Sequence, residues 1–251
     1  MGEKHEQKFH LVYYINTGYP SMEASLEKAE LYLNHGVKAI QFDLPSRNPY
    51  RETTFIKERM AAAYERYGGY NEMMEQLTAF RRRHPDFEMQ MVSYEDVLLT
   101  IGSRPYIEFC RDNHITTCRI SGDGVIETAR KDMNRAGIDT LTFIDYNMGE
   151  ESVELAIETG RAVMLRNVRP GMTARSGMVS WRERIEYLRE RGITAPIYAT
   201  AGITCGDDIL EAKAAGAAGA FVGSCLMKLW EDEKNMLLLL EDLERAANEE
   251  R

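Results

Sequence analysis

The stretch AIQFDLPSRNPYRETT, residues 39–54, places an amide, Gln41, and two carboxylates, Asp43 and Glu52, where a short apolar run passes into a polar loop. Sheltered carboxylates are suited to proton transfer, because loss of water raises their pKa toward neutrality. Gln41 can donate and accept hydrogen bonds but has no proton to exchange near pH 7. A general acid–base step that depended on that position would be slowed by roughly 10²–10⁴-fold or more. By the two-residue strand period, Asp43 shares a face with Gln41 and lies one step nearer the C-terminal end. Similar polar intrusions recur: Tyr94 after a third apolar run, Arg119 in a fourth, Asp145 ending a fifth, and Arg166 with Asn167 in a sixth. Charged groups are rarely buried without partners, so Arg119 and Arg166 are expected to pair with Asp43, Asp145 or Glu52, or else to face a cavity. An internal ion network and a pocket remade for a polar ligand are both open readings.

A second constellation suits anions. The seventh apolar run ends in ATAGITCGDD and the eighth in AFVGSCLMKL, with RPGMT following the sixth. Gly202 and Gly223 lack the Cβ that would keep an anion from the backbone N–H groups, and Thr204 and Ser224 add hydroxyl donors. The alternative is that these glycines only make tight turns.

Such residues need elements to hold them. Short apolar, β-branched runs alternate with longer amphipathic ones along the whole chain. Strands are predicted at 10–16, 38–44, 87–93, 116–121, 140–145, 162–168, 196–202 and 219–224. Helical patterns follow at 21–36, 71–85, 104–113, 125–137, 151–160, 181–192, 207–216 and 225–250, the first capped by Ser21 and stopped by Gly36. Residues 46–70 read as a long loop or helix in which Gly68 and Gly69 are a C-cap or a hinge. Eight strand–helix repeats with right-handed crossovers close into a (β/α)₈ TIM barrel, here one domain over residues 1–251. A doubly wound sheet is the alternative, but no G-x-G-x-x-G turn follows the first strand.

Composition narrows the partners. With 31 Lys and Arg against 40 Asp and Glu the net charge is −9, which argues against nucleic acid or a membrane surface. The N-terminus MGEKHEQKFH lacks an apolar signal core and no apolar run is long enough to span a membrane, so a cytoplasmic location is expected. Cys110, Cys118, Cys205 and Cys225 have no metal or C-x-x-C spacing and read as reduced structural thiols; five scattered histidines add no metal motif. No metal or organic cofactor is called for. The basic FRRRHP is a solvated helix end.

Taken with their loops, these motifs resemble the tryptophan synthase alpha subunit family over most of the chain. INTGYP resembles the family's T-x-G-x-P, GVKAIQFDLPSRNP its G-A-D-I-I-E-L-G-x-P-x-S-D-P, VSYEDVLLTIG its M-x-Y-x-N-x-x-x-x-x-G and RPGMTA its R-x-G-V-T-G. TAGIT and FVGSCLMKL resemble G-F-G-I-S and V-I-V-G-S-A-L-V-K. The resemblance implies a barrel that cleaves indole-3-glycerol phosphate to indole and glyceraldehyde 3-phosphate. It implies a phosphate cradle of Gly171, Thr173, Gly202, Ile203, Gly223 and Ser224, with Ala174 replacing a family glycine. The family's strand-2 catalytic Glu falls on Gln41, its loop Asp on Glu52, its loop Gly-Pro on Thr53 and Thr54, and a family glycine on Asp43.

Three functions are therefore expected to compete. The first is a carbon–carbon lyase or isomerase acting on a phosphorylated small molecule, with Asp43 or Glu52 handling protons and Tyr94 or Asp145 assisting. The second is a non-catalytic phosphate-ligand module or regulatory subunit, with residues 46–70 as a protein-binding segment or lid. The third is a retained indole-glycerol-phosphate lyase using Asp43 or Glu52. The resemblance implies a beta-subunit partner, but the loops after strands 2 and 6 that would make it differ here, which puts that pairing in doubt.

Overall fold

A computed structural model of the chain describes residues 8–122, 126–169 and 171–249. Val125 of the fourth helical pattern and Pro170 of RPGMT lie outside them. In chain order the elements are β1 (His10–Ile15), α1 (Met22–Asn34), β2 (Ala39–Asp43), α2 (Thr54–Tyr67), α3 (Asn71–Arg83), β3 (Glu88–Tyr94), α4 (Glu95–Ile101) and α5 (Ser103–Asp112). There follow β4 (Thr117–Ser121), α6 (Ile126–Arg135), β5 (Asp139–Ile144), α7 (Glu150–Thr159), β6 (Val163–Arg166), α8 (Trp181–Glu190), β7 (Ile197–Thr200), α9 (Gly206–Ala214), β8 (Gly219–Val222), α10 (Ser224–Met227) and α11 (Glu233–Asn248). The strands pair in chain order, in parallel, and close into an eight-stranded barrel, as the alternation of apolar runs predicts.

Local chemistry explains the elements. Ser21 accepts from the Ala24 amide at 3.1 Å and so caps α1, whose buried Met22, Leu26, Ala29 and Tyr32 recur at helical spacing. Gly68 ends α2 in the left-handed region at φ 62°, so it is a C-cap. All five residues of β2 are buried, as expected of a parallel strand covered on both faces.

Two expectations need correcting. The helical pattern at 225–250 is two helices, because Asp232 accepts from the Asn235 amide at 3.2 Å and starts α11 afresh. The pattern at 104–113 is preceded by a separate helix, α4, which Gly102 ends at φ 88°.

The chain contacts group into two compact units, one of residues up to Val12 with Thr142 onward, the other Tyr13–Leu141. In the second unit, Tyr14, Gln41 and Gln90 share a rung of the sheet, and Asp43, Val92, Arg119 and Leu141 share the next. Phe42 packs on Phe80 of α3, on the helix side of the sheet, so its strand neighbours Gln41 and Asp43 and the rungs they share face the barrel interior, where Gln41 and Gln90 meet side chain to side chain.

Candidate functional site

Asp43 ends β2 and is fully buried. Its Oδ2 accepts from the Tyr14 hydroxyl at 2.5 Å and from Asn16 Nδ2 at 2.7 Å, and its Oδ1 accepts from the Thr17 amide at 2.7 Å. Asn16 Nδ2 also donates to the Tyr14 hydroxyl at 2.8 Å. Burial pushes the Asp43 carboxyl up to about 6, against the pull of its three donors, with the nearby charge of Glu52 adding a little. A carboxyl at that value, in a shaped site, can both accept and return a proton near neutral pH. Burial, then Asp43 and Glu52, pushes the Tyr14 phenol well above its ordinary range, so Tyr14 stays a donor.

Glu52 comes from the loop before α2. Its Oε1 accepts from Arg119 Nη2 at 2.5 Å and from the Tyr94 hydroxyl at 2.7 Å, while Arg119 Nη2 also reaches the Tyr94 oxygen at 3.0 Å. Burial alone would depress the Arg119 guanidinium; Glu52 and then Tyr94 outweigh it, and its pKa is raised. The expected pairing of Arg119 is therefore with Glu52. The same loop is tied down elsewhere: Ser46 Oγ donates to Asp96 at 2.7 Å, the Arg47 amide to Asp96 at 2.8 Å, and the Tyr70 hydroxyl to the Pro45 carbonyl at 3.1 Å. Beside Tyr94 opens a cavity of about 240 Å³ lined by Asn48, Tyr50, Glu95, Asp96 and Leu99.

Gln41 lies one rung deeper. It donates through Nε2 to Gln90 Oε1 at 3.3 Å, and Gln90 donates in turn to Glu88 at 2.6 Å. It is thus part of an amide ladder in the barrel interior.

In the other unit, Asp145 follows β5 and accepts from Arg166 Nη1 at 3.2 Å and from the Tyr146 amide at 2.7 Å. Both are held from behind by Arg184 of α8, fully buried, whose Nη1 donates to the Arg166 carbonyl at 2.6 Å. Burial lowers the Arg184 guanidinium to about 10, partly offset by Asp145. Asn167 packs on Gly202: a Cβ there would stand 2.8 Å from Asn167 Nδ2, and Gly202 has φ 132°. Gly171 has φ 85° with open space where a Cβ would be; Thr173 is exposed beside it. Ile203 is buried, and Gly223 precedes Ser224, the first residue of α10. Thr204 departs from the expectation of a free hydroxyl donor, since its amide and hydroxyl both donate to Asp208, at 2.6 and 2.7 Å.

Sequence reasoning missed Tyr14, Asn16, Ser121 and Arg184. Tyr14 and Asn16 alternate on the face that meets Gln41 and Asp43, and Ser121 follows Arg119 by one strand period, so phase alone points to them. Arg184 falls three residues after Trp181 and four before Leu188, on the buried stripe of α8.

Among the described residues no three His, Cys, Asp or Glu side chains stand together as a metal site, and no helix is long and apolar enough to cross a membrane. A closed parallel eight-stranded barrel with a helix after each strand is the TIM-barrel class of fold. The family model described as "Tryptophan synthase alpha chain" matches residues 1–249, and the chain belongs to that family. It is 23% identical to the tryptophan synthase alpha chain of Pectobacterium atrosepticum, covering 94% of this chain and 88% of that one. It is 22% identical to that of an Escherichia coli strain, over 93% and 87%. Among solved structures, a protein of Aquifex aeolicus matches with TM-score 0.83 at 19% identity over 98% and 96% of the two chains. The tryptophan synthase alpha subunit of Legionella pneumophila matches with TM-score 0.78 at 16% identity over 98% and 95%.

Proposed function

We propose that this protein is a lyase or isomerase of a phosphorylated small molecule in which Asp43 does the proton transfer that Gln41 cannot. The observation that carries this reading is the Asp43 carboxyl itself: buried, held by Tyr14, Asn16 and the Thr17 amide, and with its pKa pushed up to about 6. Glu52 serves instead as the counter-ion of Arg119, its Oε1 already engaged by Arg119 and Tyr94. A phosphate would be held by backbone around Gly171, Gly202, Ile203 and Gly223, with Thr173 and Ser224 as hydroxyl donors. That assignment is supported by family membership and by the φ values of Gly171 and Gly202, 85° and 132°, which favour glycine. Residues 46–70 are the surface that would meet a protein partner, with Tyr50 exposed at its start.

Proton abstraction can be tested without knowing the full reaction. The protein is incubated with glyceraldehyde 3-phosphate and related sugar phosphates in D₂O, and deuterium entry at carbon is followed by NMR. Exchange by the unaltered protein should fall by roughly 10²–10⁴-fold in Asp43→Asn. Exchange that survives in Asp43→Asn and vanishes in Glu52→Gln would move the proton to Glu52, and indole release from indole-3-glycerol phosphate at an ordinary enzymatic rate would show that the family reaction persists. No exchange with any of these would favour a binding module, a reading consistent with Gln41 locked to Gln90.

A further inference from the structure

We infer that the reacting half of the ligand is a polyhydroxylated carbon chain, recognised by the side-chain oxygens of Asn16 and Ser121, rather than an aromatic ring. This rests on the phosphate-ligand reading above and gives its missing half a chemical class. Asn16 is 1% exposed and Ser121 is 3% exposed, yet Asn16 Oδ1 and Ser121 Oγ have no hydrogen-bond partner within the described protein. The Asn16 amide is not free to turn over: its Nδ2 donates to Asp43 Oδ2 at 2.7 Å and to the Tyr14 hydroxyl at 2.8 Å, and a flipped amide would set its oxygen against the carboxylate. Its Oδ1 therefore waits for a donor. Ser121 is the next inward residue after Arg119 on β4 and shares a rung with Tyr94, so its hydroxyl belongs to the same polar wall.

Buried polar atoms in native proteins are almost always satisfied, and an orphan costs most when a ligand that cannot pair with it seals the site. Asn16 offers only an acceptor and Ser121 offers both functions. A hydroxyl meets either one. An indole ring has a single N–H, so it can satisfy at most one and must bury the rest of its carbon surface against Asp43, Arg119 and Asn16. Thr17 Oγ1 also lacks a partner, and its own amide is the donor to Asp43 Oδ1. Other orphaned oxygens, on Thr53, Asn113 and Thr142, are dispersed: Thr53 precedes α2, Asn113 follows α5, and Thr142 is out of phase with the inward Leu141.

Calorimetric titration of the full chain with four probes tests the assignment: inorganic phosphate, glycerol 3-phosphate, ribitol 5-phosphate and indole-3-glycerol phosphate. Ribitol 5-phosphate should bind at least ten-fold tighter than inorganic phosphate and tighter than indole-3-glycerol phosphate. Ser121→Ala should lose roughly ten-fold of that gain while its affinity for inorganic phosphate stays unchanged, which also shows that the variant is folded. Equal binding of inorganic phosphate and ribitol 5-phosphate, or tightest binding of the indole compound, overturns the polyol assignment and leaves the phosphate reading standing. If no phosphorylated probe binds, the phosphate reading fails; free ribitol is then titrated at high concentration, and Ser121-dependent binding upholds the polyol assignment alone, whereas none overturns both.

Discussion

At the scale of single residues, burial raises the pKa of the Asp43 carboxyl. Its folded value of about 6 stands above the ordinary 3.8, so the native state holds this proton more tightly than the unfolded chain does. The stabilisation that results is complete below the unfolded value and is lost as pH rises through about 6. The rise from 3.8 to about 6 corresponds to ~3 kcal/mol. Asp43→Asn removes the titration, and its effect on the three donors is the same at every pH. The gap in unfolding free energy between variant and parent should therefore move by about 2 kcal/mol in the variant's favour between pH 4 and pH 7, most of the full rise. Denaturant unfolding at both values measures it; a gap independent of pH would mean that Asp43 is not buried as a carboxyl. Asp43 and Gln41 could be read directly because both break an apolar strand. Tyr14, Asn16 and Ser121 were within reach of strand phase but do not announce themselves by type, since polar residues near a strand end are ordinary.

At the scale of elements, the loop between β2 and α2 is held from three sides, by Arg119 with Tyr94, by Asp96 and by Tyr70. The Arg119–Glu52 pair is mostly buried, with side-chain exposures of 7% and 16%. Removing one member of such a pair leaves the other charge without compensation and costs about 3–5 kcal/mol, whereas removing both costs far less. Arg119→Met alone should thus destabilise the protein and raise hydrogen exchange in residues 44–53, and Arg119→Met with Glu52→Gln should recover most of the loss. Additive effects in that cycle would mean that the pair is effectively solvated. The sequence predicted that Arg119 needs a carboxylate but left three candidates, because choosing among them takes the loop's path. Helix breaks were similarly hidden: Asp232 divides the single pattern read at 225–250, and the short α4 before Gly102 is absent from a reading that starts its helix at 104.

At the scale of the whole molecule, eight alternating runs of apolar residues were enough to foresee eight strands each followed by a helix, because each strand and its following helix carry their own periodicity. The closure itself is not written in any period. It depends on β8 returning to β1, where the His10 amide donates to the Ala218 carbonyl at 3.1 Å. Gly219 lies at that seam, and a Cβ on it would run into the His10 carbonyl oxygen and stand 2.7 Å from Cε1 of Tyr198. The obstruction is backbone, which cannot step aside without breaking the seam, so Gly219→Ala should lower stability by more than about 3 kcal/mol, beyond the range of most single substitutions. Gly69 is the control, because a Cβ added there would meet nothing within 4 Å and its φ is not left-handed. Gly69→Ala should be neutral or stabilise by about 0.4–1 kcal/mol through the unfolded chain. Thermal unfolding of the two variants side by side distinguishes a seam that tolerates no side chain from a sheet whose ends merely approach, since equal melting temperatures would contradict the close contact of His10 with Gly219.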